Sequence, residues 1–153
     1  DRDILRYLWR LYRKLKFNRI YFSAYQQGLG DSSIPGEQRH IDSPEDIFLR
    51  EHRLYQADFL VRTYGFAFDD FSFEQGNLSL QEDPKLVWAR THPEFFPVQI
   101  NLANRHDLLR VPGLGPAMVK RIIQARKHQT LRDLSDARVP AHLAAKALEY
   151  IRY

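Results

Sequence analysis

The sequence predicts a mainly α protein with one short α/β portion near its start, and three observations carry that expectation. Apolar residues recur at spacings of three and four over 3–16 and again over 44–64, the period of one helix face. A single convincing β-branched and aromatic run, Ile20–Tyr25, reads as a strand. In the last third, Val111-Pro112-Gly113-Leu114-Gly115 separates two further apolar-periodic segments, as a tight turn between two helices does.

Over Asp3–Lys16, Ile4, Leu5, Leu8, Leu11, Tyr12 and Leu15 form the apolar face. Arg2, Arg6, Arg10 and Arg13 share another stripe, which reads as a solvated face in preference to a phosphate-binding one. The helix yields over Lys16–Arg19 to the strand, and a helix feeding a strand is half of an α/β repeat. A lone strand leaves its backbone groups unpaired. Together with the absence of a Met at position 1, this predicts a part of a longer α/β enzyme.

Gln26–Ser43, with Gly28, Gly30, Pro35 and Gly36, is a polar loop whose Gly-x-Gly lacks the third glycine and following helix of a dinucleotide fingerprint. Ser43-Pro44-Glu45-Asp46 starts a helix, with Ser43 as N-cap and Pro44 at the first helical position. Ile47, Leu49, Leu54, Tyr55, Phe59 and Leu60 carry it to Gly65, so a core helix is expected over roughly 44–64. Asp69-Asp70-Phe71 predicts a short helical turn. Asp83-Pro84 predicts one more helix through Leu86, Trp88 and Ala89.

Composition removes several function classes. The 153 residues are 44% hydrophobic and 27% charged, which fits a folded chain with a core rather than a disordered one. There is no cysteine, so no disulfide, thiolate metal site or iron–sulfur cluster can be built from this chain alone. No apolar run approaches the ~20 residues of a membrane span, and no secretory signal opens the sequence, so a cytoplasmic location is expected. His40, His52, His92, His106, His128 and His142 show no metal-binding spacing. Glu51-His52-Arg53 is read as structural pairing on a helix in preference to catalysis.

The formal charge of +4 is unevenly placed. Residues 1–99 hold 13 Lys and Arg against 15 Asp and Glu, whereas residues 100–153 hold 10 against 4. The basic balance therefore belongs to the last third, where the glycine turn lies. There Asn101 is a candidate N-cap, with Leu102, Ala103, Leu108 and Leu109 as the apolar face of a first helix. Pro112 stops it, and Pro116 opens a second helix with Val119, Ile122 and Ile123 on its apolar side and Lys120, Arg121, Arg126 and Lys127 around the rest. Amides at a glycine turn and a helix N-terminus make an anion site, and glycine leaves those amides unshielded. A DNA phosphate suits it, with Lys and Arg adding attraction without reading sequence.

The stretch from Asn101 to Arg126, with its Leu-x-x-Val-Pro-Gly-Leu-Gly-Pro-x-x-Val-x-x-Ile pattern, resembles the helix-hairpin-helix motif of DNA repair and recombination proteins. The resemblance implies that the amides of Gly113, Gly115 and Met118 face a phosphate with Lys120 in support. The DNA contacts expected on this basis are Gly113, Leu114, Gly115, Met118, Lys120, Arg121 and Arg110. It also implies a monovalent cation on the main-chain carbonyls of Leu109, Val111 and Leu114. Arg110-Val111-Pro112-Gly113-Leu114-Gly115 is echoed 28 residues later by Arg138-Val139-Pro140-Ala141-His142-Leu143, so residues 100–153 resemble a tandem helix-hairpin-helix domain. The second turn lacks the glycines and is expected to be structural, with a side-chain contact from His142 as the lesser alternative.

Arg50-Glu51-His52-Arg53-Leu54-Tyr55-Gln56-Ala57-Asp58, Asp83-Pro84-Lys85, His92-Pro93-Glu94 and Phe96-Pro97-Val98, followed by the hairpin, resemble the C-terminal part of the DNA modification/repair radical SAM proteins. That resemblance implies three segments. Residues 1–43 would be a remnant of an α/β barrel, 44–99 a helical connection and 100–153 the DNA-binding domain. It further implies a 4Fe-4S cluster and S-adenosylmethionine in a full-length parent, none of them in this chain, and a uracil-DNA-glycosylase-like partner. The Cys-x-x-x-Cys-x-x-Cys motif is absent, so no catalytic residue is carried over and the chain alone is not expected to be catalytic. The expected function is sequence-tolerant DNA-backbone binding, without membrane association. A protein-protein interaction module is the alternative.

Overall fold

The computed structural model describes residues 1–38 and 44–153; the expected cap Ser43, and His40, lie outside the described residues. The protein is mainly helical, with one two-residue parallel ladder among the described residues. It divides into two compact units, one of residues 1–62 and 67–84, the other of 63–66 and 85–153. These limits differ from the expected 1–43, 44–99 and 100–153. The reason is packing: the first helix lies on the long third one, and residues from Lys85 onward share a core with the glycine turn.

In the first unit, α1 (Arg2–Lys14) and α3 (Pro44–Phe59) pack together. Leu5 and Leu8 of α1 and Leu54 and Ala57 of α3 are buried. Ile4 and Leu15, assigned by period to the apolar face, are exposed. A π-helical turn, Leu60–Tyr64, extends α3, and Gly65 at φ +77° ends it where the sequence predicts. The Asp58 carboxylate, buried, accepts two N–H bonds from Arg62 at 2.9 and 2.7 Å and the Tyr12 hydroxyl. Burial and this carboxylate push the Tyr12 phenol up to about 12. The short helical turn falls at Phe68–Asp70. On the arginine stripe, Arg6 pairs with Asp3 and lies over the Phe68 ring, while Arg13 lies over Trp9.

The expected strand at 20–25 is corrected: these residues carry no strand. Their exposure alternates, but their backbone groups bond to side chains of α3. Tyr55 Oη bonds both the Phe22 N–H (3.0 Å) and the Phe22 carbonyl (2.9 Å), and Glu51 Oε2 accepts from the Ala24 N–H at 2.7 Å. Side chains thus supply what a neighbouring strand would have supplied. The loop that follows folds over α2 (Pro35–Gln38), whose Glu37 carboxylate receives the amides of Gly28, Leu29 and Gly30 and the Tyr25 hydroxyl.

The second unit contains α4 (Pro84–Thr91), α5 (Arg105–Arg110), α6 (Pro116–Ala125) and α7 (Ala141–Ala147). Its chain is closed by β1 (Val98–Gln99) pairing in parallel with β2 (Ile151–Arg152), Val98 opposite Ile151. Two residues show no periodicity, so neither strand is readable from sequence. The core is made by Leu108, Leu109, Val111, Leu114, Val119, Ile122, Leu131 and Leu134. Beside it, Trp88 meets Phe66, Phe95 and Phe96 edge to face, and Phe96 meets Tyr150.

Asn101 is not the cap of α5. Asn104 is, its Oδ1 accepting from the Asp107 N–H at 3.0 Å. Asn101 instead holds the Leu131 backbone with both ends of its amide, at 3.0 and 2.9 Å. Leu102, left outside the helix, is 79% exposed.

Candidate nucleic-acid interface

The glycine segment is a hydrogen-bonded turn between α5 and α6. The Leu114 N–H donates to the Val111 carbonyl at 3.1 Å across Pro112 and Gly113, and Gly113 has φ +82°. Proline followed by a left-handed glycine, closed by this bond, is the pattern of a type II turn. Gly115, at φ −98° and ψ 173°, is then the N-cap of α6, and its carbonyl receives the Val119 N–H.

These bonds decide which amides are left over. Among the described residues none accepts from the amides of Gly113 or Gly115. Ala117 and Met118 lie in the first turn of α6, where a helix offers their N–H groups no acceptor. Met118 and both glycines thus have the amides that the sequence expectation needs, and Ala117 joins them.

The glycines, however, do not serve to keep side chains off these amides. A Cβ on Gly113 would lie 2.5 Å from the Leu143 carbonyl and 3.0 Å from Lys146 Cβ, both on α7. A Cβ on Gly115 would meet Tyr64 Oη at 3.3 Å. Both would point into protein, so each glycine permits close packing, and Gly113 also permits its φ.

The predicted cations divide in two. Lys120 and Arg121 are exposed on α6, although Arg121 also donates to the Arg138 carbonyl at 2.9 Å. Arg126 turns inward and donates to the carbonyls of Ile100 (3.2 Å) and Ala103 (2.6 Å). Arg110, expected as a DNA contact, is 5% exposed, with its guanidinium 3.9 Å from the Phe66 ring centre and 4.5 Å from that of Trp88. It is corrected to a core residue, held by cation–π attraction. Lys146 was missed. It lies beside Gly113 on α7 and is exposed, and only its charge marks it in the sequence.

Of the carbonyls expected to hold a monovalent cation, Leu109, Val111 and Leu114, two are engaged. Val111 receives the Leu114 N–H, and Leu114 receives the Lys85 ammonium at 2.6 Å. Lys85 is buried, its Nζ 4.7 Å from the Tyr64 ring centre. A further cation on Leu114 would meet a resident ammonium at close range; the positive charge at this carbonyl is a side chain. For the cluster of the expected parent, the chain offers no thiolate, and its residues do not fit that group.

The echo is present, but in a different register. Geometry aligns left-handed Gly113 with left-handed Arg138, buried Leu114 with buried Val139, N-cap Gly115 with N-cap Pro140, and the α6 start with the α7 start. The offset is 25 residues, from Gly113 to Arg138, instead of the 28 that the letters suggest. The second turn then loses both turn amides. The Arg138 N–H is bonded to the Ser135 carbonyl, and Pro140 has none.

The first unit shows an open cavity of about 480 Å³ lined by residues including Phe22, Tyr25, Arg50 and Glu51. Its charged groups are engaged, Arg50 by Asp1 and Asn77 and Glu51 by the Ala24 amide. Arg53 of the same helix donates to Gln56 and to the Leu80 carbonyl, in keeping with the structural reading of Glu51–Arg53. Among the described residues no helix is long and apolar enough to cross a membrane. Compared with protein-family models, with curated proteins and with solved structures, the chain matches none.

Proposed function

We propose that the second unit grips the phosphate backbone of DNA as a tandem helix-hairpin-helix domain in which only the first turn binds. The observation that carries this reading is the set of amides of Gly113, Gly115, Ala117 and Met118, for which the described residues supply no acceptor, at the N-terminus of α6. Such a nest favours an anion held by several N–H groups and by the helix dipole. Lys120, Arg121 and Lys146, all exposed near the turn or on α6, add the positive field. Binding of this kind positions a protein without reading bases. The role fits a DNA modification or repair enzyme of the radical SAM kind, its cluster and S-adenosylmethionine held by residues other than these, with a uracil-DNA-glycosylase-like protein as a partner.

A fluorescence-anisotropy titration of the full chain against short duplexes tests the proposal. Binding should be tight at low salt and weaken with a linear dependence of log K on log salt. No binding at low salt, or binding indifferent to salt, would overturn it.

A further inference from the structure

We infer that Lys85 is a positioning residue for the anion site, acting through the Leu114–Gly115 peptide. The inference rests on the phosphate reading of the turn and assigns part of its strength to a residue on the opposite side of the backbone.

The Leu114 carbonyl and the Gly115 N–H belong to one peptide group. That peptide is trans, so its carbonyl and its N–H point in opposite directions. The carbonyl accepts from the Lys85 ammonium at 2.6 Å, in a buried place walled by the Tyr64 ring. The Gly115 N–H therefore points away from Lys85, and no described residue accepts from it. A charged donor on the oxygen withdraws electron density through the amide and makes its N–H a stronger donor.

Orientation follows from the same bond. On its Gly115 side no Cβ restricts the rotation of this peptide. Lys85 fixes the plane by binding its oxygen, so the N–H is already aimed before an anion arrives. A surface lysine attracts phosphate and is screened by salt, whereas this ammonium is buried and is screened much less.

The test compares the wild-type chain with Lys85→Met, which keeps length and removes charge, and with Lys85→Arg. The Gly115 amide resonance is read in the DNA-free protein, and duplex affinity is read over a range of salt. Lys85→Met is expected to shift the Gly115 amide proton upfield and to weaken binding on the order of tenfold. The slope of log K against log salt should stay unchanged, because no phosphate contact is lost. Lys85→Arg should recover most of the affinity.

An unmoved Gly115 resonance with wild-type affinity in Lys85→Met would overturn the inference. Should Lys85→Met fail to fold, the wild-type protein decides: a hydrogen-bond scalar coupling between Lys85 Nζ and the Leu114 carbonyl carbon supports the inference, and its absence overturns it. Wild-type failure to bind duplex defeats the phosphate reading itself, whereas wild-type binding with an unaffected Lys85→Met defeats the role of Lys85 alone.

Discussion

Gly113 shows how one residue serves two requirements at once. Its φ of +82° is disfavoured for any residue with a Cβ, and its Cα lies so near α7 that a methyl would sit 2.5 Å from the Leu143 carbonyl. A Gly113→Ala substitution adds a left-handed penalty to overpacking against backbone that has little room to retreat. The expected loss is roughly 2–5 kcal/mol of stability, measured by chemical denaturation. A loss under about 0.5 kcal/mol, the size of an ordinary surface change, would show that α7 does not pack there. For the same reason a valine at this position cannot isolate phosphate binding from folding, and charge substitutions serve better.

Glu37 offers a residue-scale test in the first unit. The Tyr25 hydroxyl, then the Gly28, Leu29 and Gly30 amides, hold its carboxyl down to about 2. The folded form is thus favoured by the ionised carboxylate. This contribution is fully present above the ordinary carboxylate range near 4.5 and is lost as pH falls toward about 2. Amide shifts of Gly28 and Gly30, followed by NMR through acid, should move with a midpoint near 2, and a midpoint near 4.5 would show that the carboxylate is not bonded there.

At the scale of elements, helices were legible where their period ran long enough. Leu5 and Leu8, Leu54 and Leu60, and Val119 and Ile122 all point to cores that the spacing announces, whereas Phe59 of the same expected face is exposed. The failures share a cause, which is that the deciding partner is distant in sequence. The composition of the 20–25 run fits a strand, yet Tyr55 and Glu51 of α3 take its backbone bonds. Nothing local in the sequence shows that Phe66 and Trp88 enclose Arg110. The repeat differs for a local reason: Arg-Val-Pro recurs as letters after 28 residues, while the left-handed backbone recurs after 25, at Gly113 and Arg138.

α6 itself carries two kinds of basic residue, and a pair of substitutions should separate them. Arg126 satisfies the carbonyls of Ile100 and Ala103, so Arg126→Gln should cost about 1–3 kcal/mol of stability and leave the salt slope of DNA binding alone. Lys120 is exposed and donates no described bond to protein. Lys120→Gln should change stability by less than about 0.5 kcal/mol while lowering the slope by about one phosphate contact. Equal effects of the two on slope would mean that Arg126 leaves its carbonyls to reach DNA.

For the molecule as a whole, the charge division bears on the proposed grip on DNA. The four acids of residues 100–153 oppose ten Lys and Arg, and two of the four are turned to backbone caps. Asp133 and Asp136 serve the 3-10 turn at Leu134–Ala137, while the Asp107 carboxylate accepts from the side-chain amide of Asn104, the cap of α5. Each cap stabilises an element and keeps a carboxylate close to amide dipoles instead of among the exposed cations of α6 and α7. On the proposed function, this field attracts phosphate wherever it is presented and the turn amides grip it without touching a base edge. Duplexes of equal length and unrelated sequence should therefore bind within about threefold of one another, since even one lost base contact would cost ~1–3 kcal/mol and separate them further. If the grip engages about four phosphates, the salt slope is about −3.6, and raising salt from about 50 to about 200 mM should weaken binding by roughly two orders of magnitude. Affinities that differ strongly between sequences at fixed salt would place base-reading groups on this unit, and the turn amides would then be a secondary anchor rather than the grip.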